Sequence, residues 1–179
     1  MTFRKLRLLL AVLITVSTTA CGGVEEIVGR KGFRSGSVVM EPTIRKDQYF
    51  TIRTVGEDHV PKTGEVIVFR PPAYWSTPGS QPNSDVRVSR IIGVPGSSVS
   101  CCDATGKVVV NGRPLPEPYV SANPASAADF DVDVPPGRLW IMGDNRDVSL
   151  DSRAYRDTAE RGTIAISDIV GVVDRIGSN

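Results

Sequence analysis

Apolar residues in this chain come in short runs closed off by Gly, Pro, Asn and Asp, and no apolar stripe at helical spacing is kept up for the length of a helix. Residues 48–53, 65–70, 86–94, 138–142, 163–166 and 169–173 read as strands, rich in β-branched and aromatic side chains and bounded by turn formers. Residues 107–110 and 113–115 flank Asn111-Gly112, a dipeptide suited to the positive φ angles of a tight hairpin. Residues 57–62 read as a polar turn, 71–85 as a long loop, and the Ala/Ser/Pro-rich stretch 121–129 as a mobile excursion. The pattern predicts an all-β fold, mainly antiparallel sheets around one core, with little helix. The 17 glycines and 13 prolines in 179 residues suit many short strands, and the length suffices for one domain with a proper core.

One stretch follows neither period. Met142-Gly143-Asp144-Asn145-Arg146-Asp147-Val148-Ser149-Leu150-Asp151-Ser152-Arg153 alternates acids, guanidiniums and hydroxyls directly behind the strand at 138–142. Gly143, Asp144 and Asn145 are turn formers. A solvated surface loop is the simplest reading, but such a loop has no use for this order. Acids and arginines that neutralise one another suit a partly buried site.

The first residues are not part of the fold. Arg4, Lys5 and Arg7 precede an apolar run at 8–16 that is too short to span a bilayer, which takes about 20 apolar residues. Residues 1–20 therefore read as an export signal. Thr18-Thr19-Ala20-Cys21 resembles a lipobox, in which the cysteine is lipidated and becomes the new N-terminus, although Thr18 stands where leucine is usual. This reading puts the chain on the outer face of the cytoplasmic membrane, anchored through Cys21, with residues 21–34 as a tether. Secretory cleavage after Ala20, giving a secreted protein, is the other reading of the same residues.

Charge and cysteine content narrow the rest. The formal net charge is +1, and losing residues 1–20 removes three basic groups and no acid, leaving −2. That is no basic footprint, so nucleic acid is not an expected partner. Cys101 and Cys102 are adjacent, and an oxidising compartment allows either two thiols or one disulfide. The single histidine, His59, lies in a separate turn, so neither a metal nor a cofactor is expected. Oligomeric state is not legible.

Gly143-Asp144-Asn145-Arg146-Asp147-x-Ser149-x-Asp151-Ser152-Arg153 matches the last box of the type I signal peptidases, the Ser-Lys proteases that remove signal peptides from secreted preproteins. Other stretches resemble that family in the same order: 35–43 the nucleophile box, 64–69 the strand after it, 89–96 the general-base box, and 108–112 with 116–120 the segment that follows. The resemblance covers residues 35–176, taken here as one signal-peptidase-like β domain. It implies an extended peptide or preprotein signal region as partner. It also implies a membrane-bound enzyme, ordinarily held by a transmembrane helix rather than by lipid.

The chemistry implied by the resemblance needs a hydroxyl aimed at the scissile carbonyl and a neutral lysine to take its proton, with donors for the oxyanion. In the family the nucleophile directly precedes Met in Ser-x-Ser-Met-x-Pro-Thr. Here the run is Ser37-Val38-Val39-Met40-Glu41-Pro42-Thr43, so Val39 occupies the nucleophile position and Ser37 the earlier serine, whose hydroxyl serves the oxyanion hole in part of the family. The base precedes Arg in the second box, and that residue here is Ser89, before Arg90. Valine cannot attack, and serine is no base at neutral pH. The sequence therefore points to a catalytically impaired homologue acting as a peptide-binding or regulatory module. In the alternative alignment, with two residues inserted, Ser37 is the nucleophile of an active signal peptidase. Arg90, Asp144, Ser149, Asp151 and Arg153, with Met40 and Pro42, are the expected site-support residues. The first five are expected to gather as one polar cluster beside Ser89.

Overall fold

The computed structural model describes residues 29–75 and 86–178. Eleven strands follow in chain order: β1 (Arg30–Arg34), β2 (Tyr49–Thr54), β3 (Val66–Phe69), β4 (Arg87–Gly93), β5 (Ser98–Cys101), β6 (Val109–Val110), β7 (Arg113–Pro114), β8 (Phe130–Asp133), β9 (Arg138–Met142), β10 (Ile164–Ala165) and β11 (Ile169–Ile176). Three short 3-10 turns, Ala73–Trp75, Ser152–Tyr155 and Ile166–Asp168, are the helical content among the described residues. The all-β reading therefore holds.

The strands form a seven-stranded sheet in the order β1-β2-β11-β3-β4-β9-β10 and a four-stranded sheet in the order β7-β6-β5-β8. Every neighbouring pair is antiparallel. The centre of the large sheet is covered on both faces, which is why β3 reads Val66-Ile67-Val68-Phe69 without a polar break. Ile67 and Phe69 face one apolar cluster with Trp75, Ile91, Leu139 and Ile141, and Val66 and Val68 face another with Met40, Ile44, Phe50 and Ile52. At the sheet margins the pattern alternates instead, as in β8, where Phe130 and Val132 are buried and Asp131 and Asp133 exposed. A third cluster, built on Ile92, Val99, Phe130, Val132 and Trp140, packs the small sheet against β4 and β9. The β6–β7 hairpin turns at Asn111 and Gly112, with φ of 51° and 73°, as that dipeptide predicts.

Two expectations need correcting, and a third gains detail. Residues 30–34, taken as tether, form the edge strand β1, paired residue by residue with β2 from Arg30↔Arg53 to Arg34↔Tyr49. The excursion at 121–129 is tied down: Ala125 and Ser126 are buried, and Ala125 N–H donates to the Gly106 carbonyl. The long loop at 71–85 opens with a 3-10 turn whose Trp75 is 1% exposed and stacks on Tyr155 at 4.7 Å. The export signal, Cys21 and the rest of the expected tether up to residue 28 lie outside the described residues.

Candidate active site

The chain leaving β1 does not continue as strand. The Ser35 N–H donates to the Gln48 carbonyl and the Asp47 N–H to the Ser35 carbonyl, closing residues 35–48 into a compact excursion. Met40 and Ile44, both 0% exposed, anchor it in the core, and Pro42 lies in the turn between them, where the Ile44 N–H reaches the Met40 carbonyl. This fixes Val39. Its carbonyl accepts from Asn145 N–H at 3.0 Å, while Asn145 Nδ2 donates to the Val38 carbonyl at 3.2 Å. The segment at 35–43 is thereby stitched to the polar loop that β9 delivers.

That loop is held from beneath. Gly143 N–H donates to Asp151 Oδ2 at 2.9 Å, and Asp151 takes two further bonds from the Arg153 guanidinium, at 2.9 and 2.8 Å. Arg153 also donates to the Arg146 carbonyl, and Arg146 Nε to the Gly143 carbonyl. Gly143 is required here: a Cβ would stand 2.2 Å from Ser149 Oγ and 2.7 Å from the Val39 carbonyl oxygen. Asp144 accepts from Arg90 Nε at 2.8 Å and Nη2 at 2.6 Å, and from the Thr43 hydroxyl. Burial disfavours the Arg90 charge, but the hydrogen bonds and charge of Asp144 outweigh it, and the guanidinium pKa is raised. The Tyr119 ring lies under the same guanidinium, 3.9 Å from its carbon. Burial, reinforced by the charge of Glu117, pushes the Tyr119 phenol up.

Beside this network lies a cavity of about 430 Å³ that Ser37, Val39, Ser89, Ser149 and Asp151 all line, with apolar walls from Phe50, Val68, Phe69 and Trp75. The structure brings these sequence-predicted residues together. It does not place them in one cluster with the ion pairs. Ser89 is 3% exposed and its Oγ has no hydrogen-bond partner among the described residues, so neither Ser149 nor an ion pair reaches it. The reason is the pleat. Consecutive residues of β4 point to opposite faces, Ser89 with Ile67 and Arg90 with Val66. The expected single cluster is instead two ion pairs, Arg90–Asp144 and Asp151–Arg153, joined through the Gly143 backbone.

Among the described residues lining the cavity there is no lysine and no histidine. The cations present are Arg34 and Arg87, and guanidinium does not give up its proton in proteins. Ser37 is exposed and its carbonyl accepts from Ser35 Oγ at 2.9 Å. His59 lies 3.3 Å from Glu65, and neither it nor Lys46 nor Lys62 lines the cavity. Among the described residues no cluster of three His, Cys, Asp or Glu side chains is placed to hold a metal. Cys101 and Cys102 are joined as a disulfide, away from the cavity.

Sequence reasoning missed Thr43, Glu117, Tyr119 and Arg146. Thr43 bridges Asp144 and Arg90. Arg146 and Glu117 form an ion pair with side chains 1% and 5% exposed, and Arg146 also donates to the Ala125 carbonyl. This pair closes the 117–125 segment over the polar loop. All four lie inside matched stretches, but no sequence signal links Glu117 to a residue 29 positions away.

The signal peptidase, peptidase S26, family pattern matches residues 7–176. The chain is 35% identical over 148 residues to a signal peptidase I of Mycobacterium tuberculosis, covering 62% of this chain and 50% of that protein. It is 35% identical over 127 residues to a signal peptidase I of Bacillus licheniformis, covering 64% and 61%. The chain thus spans about half to three-fifths of the length of these curated relatives. A solved signal peptidase I from Enterococcus faecalis aligns with a TM-score of 0.47 at 28% identity, over 65% of this chain and 98% of that one.

Proposed function

The chain belongs to the signal peptidase (peptidase S26) family, and from that premise we propose that it is a non-cleaving member that binds an extended peptide or preprotein signal region. The observation that carries this is the cavity: Val39 and Ser89, which the resemblance aligns with the two dyad positions, both line it, the described lining residues include no lysine or histidine, and the one carboxylate, Asp151, is held by Arg153 and the Gly143 N–H. Ser89 Oγ, buried and unpartnered, cannot be made nucleophilic or basic by its surroundings. What the site retains is a groove between the 35–39 segment and the 148–151 loop, open to an extended peptide. The Arg90–Asp144 and Asp151–Arg153 pairs fit a structural role that outlives the chemistry, because breaking a buried pair costs about 3–5 kcal/mol.

Export and lipidation at Cys21 complete the proposal, placing the domain on the outer face of the cytoplasmic membrane. Mass spectrometry of the mature protein tests the anchor: a diacylated or triacylated Cys21 supports it, and an unmodified N-terminus or a retained 1–20 segment removes it. Incubating the purified chain from Cys21 onward with a preprotein carrying small residues before its cleavage site tests the activity. No product is expected. Efficient cleavage abolished by Ser37→Ala would instead establish Ser37 as the nucleophile of an active peptidase.

A further inference from the structure

Cys101 and Cys102 are joined as a disulfide that takes no part in the groove. A disulfide stabilises chiefly by closing a loop in the unfolded chain, and neighbouring residues close the shortest loop there is. Stability is therefore a poor reason for this one, and its position says more. Cys101 ends β5 and packs against the third apolar cluster, and both cysteines are half-buried, so solvent reaches the pair. Directly after them the chain makes a turn held by its own hydrogen bonds. Asp103 N–H donates to the Lys107 carbonyl at 3.0 Å, and the Asp103 carboxylate accepts from the N–H groups of Thr105 and Lys107 at 2.8 and 3.0 Å. This turn grips the 117–125 segment. The Gly106 carbonyl accepts from Ala125 N–H at 2.7 Å, and Gly106 lies so close to Asn123 that a Cβ would stand 2.1 Å from its Oδ1. The Ala125 carbonyl in turn accepts from Arg146 at 3.2 Å, and Arg146 Nε donates to the Gly143 carbonyl at 2.9 Å. An unbroken series of contacts thus runs from the cysteine pair, through one turn, to the polar loop.

We propose that Cys101–Cys102 is a thiol–disulfide exchange site, reduced by a dithiol, and that its redox state sets how firmly the 103–107 turn holds the 117–125 segment on the polar loop. A thiolate of the dithiol attacks one of the two sulfurs, the S–S bond breaks, and a mixed disulfide forms. The second sulfur of the dithiol then displaces the protein sulfur. The dithiol leaves as its own disulfide, and its two hydrogens end on Cys101 and Cys102. The two free thiols rotate independently, the turn is no longer aimed by a closed ring, and the Gly106–Ala125 bond loosens. The inference does not depend on whether the groove binds peptide.

The test takes the mature protein with and without dithiothreitol, and reads alkylation by peptide mapping and backbone amide exchange by mass spectrometry. Without reductant the peptide holding residues 101 and 102 should take no alkyl group, and with it two. On reduction, exchange at Ala125 should rise about tenfold or more, while the amides of β3 and β9 keep their protection, and reoxidation should restore the starting rates. The Cys101→Ala/Cys102→Ala variant should show the raised exchange at Ala125 whether or not reductant is present. Two alkyl groups without reductant, or a pair that dithiothreitol leaves intact, would overturn the exchange site. Complete reduction with unchanged exchange at Ala125 would overturn the coupling. Loss of protection in β3 and β9 together with Ala125 would show a structural staple and overturn the switch.

Discussion

Replacing Asp144 by alanine removes the carboxylate that ties the polar loop to β4 through Arg90. The Asp144 side chain is 0% exposed and that of Arg90 12% exposed, so the pair is taken out of water almost completely. Asp144→Ala deletes both of its bonds to Arg90 and the one from Thr43, leaving a guanidinium that stays charged at any accessible pH. Truncating one partner of a buried pair costs about 3–5 kcal/mol. The lower end applies here, because Arg90 keeps the Gly64 carbonyl at 2.8 Å, the Thr43 hydroxyl at 3.2 Å and the Tyr119 ring. A loss of about 3 kcal/mol lowers the melting temperature of a domain this size by roughly 6–12 °C. Urea unfolding of the chain from Cys21 onward, followed by tryptophan fluorescence, measures it directly. Adding Arg90→Met to Asp144→Ala should recover part of the loss, since the uncompensated charge goes with it. A loss below about 1 kcal/mol for Asp144→Ala, or a double variant worse than the single, would show that the pair does not hold the loop to β4.

Other perturbations separate the remaining parts of the account. Ser89→Ala deletes an unpartnered buried hydroxyl and should raise stability by about 1 kcal/mol in the same urea assay; a loss would mean that the hydroxyl is bonded. Gly143→Ala forces a methyl against Ser149 and the Val39 carbonyl and should cost about 1–3 kcal/mol, whereas an unchanged midpoint would mean that residues 39 and 149 do not meet there. Asp174 accepts from the Thr51 hydroxyl and from Arg30, which hold its carboxyl below the usual range. Its contribution is present above the unfolded pKa of about 4 and is lost as pH falls through the lower folded value, so Asp174→Asn should flatten the acid limb of a stability profile and loosen β1 to proteolysis.

How far the sequence carried these arguments varied from one residue to the next. Strands were legible wherever β-branched residues ran unbroken between turn formers, as at 66–69, and the Asn111-Gly112 turn was legible because its dipeptide has few other uses. The edge strand Arg30–Arg34 was not, since two arginines, a lysine and a glycine dominate it and only pairing with β2 makes it a strand. At the site, the motif order brought Ser37, Val39, Ser89 and Ser149 to one cavity before any coordinates did. The split between Ser89 and Arg90 follows from strand pleating and could have been anticipated. The Glu117–Arg146 pair could not, because it joins two loops whose meeting depends on how the small sheet docks.

The central claim is that the groove belongs to a signal peptidase and lacks only its nucleophile and base. Rebuilding both tests it most directly: the Val39→Ser/Ser89→Lys double variant, assayed for preprotein cleavage beside the two single variants and the unmodified chain. The account predicts no product from the unmodified chain and none above background from Val39→Ser, whose hydroxyl would have no base. It predicts none from Ser89→Lys, which buries an amine with nothing to activate, and measurable cleavage from the double variant alone. Cleavage by the unmodified chain, or a folded double variant that stays silent, would contradict it.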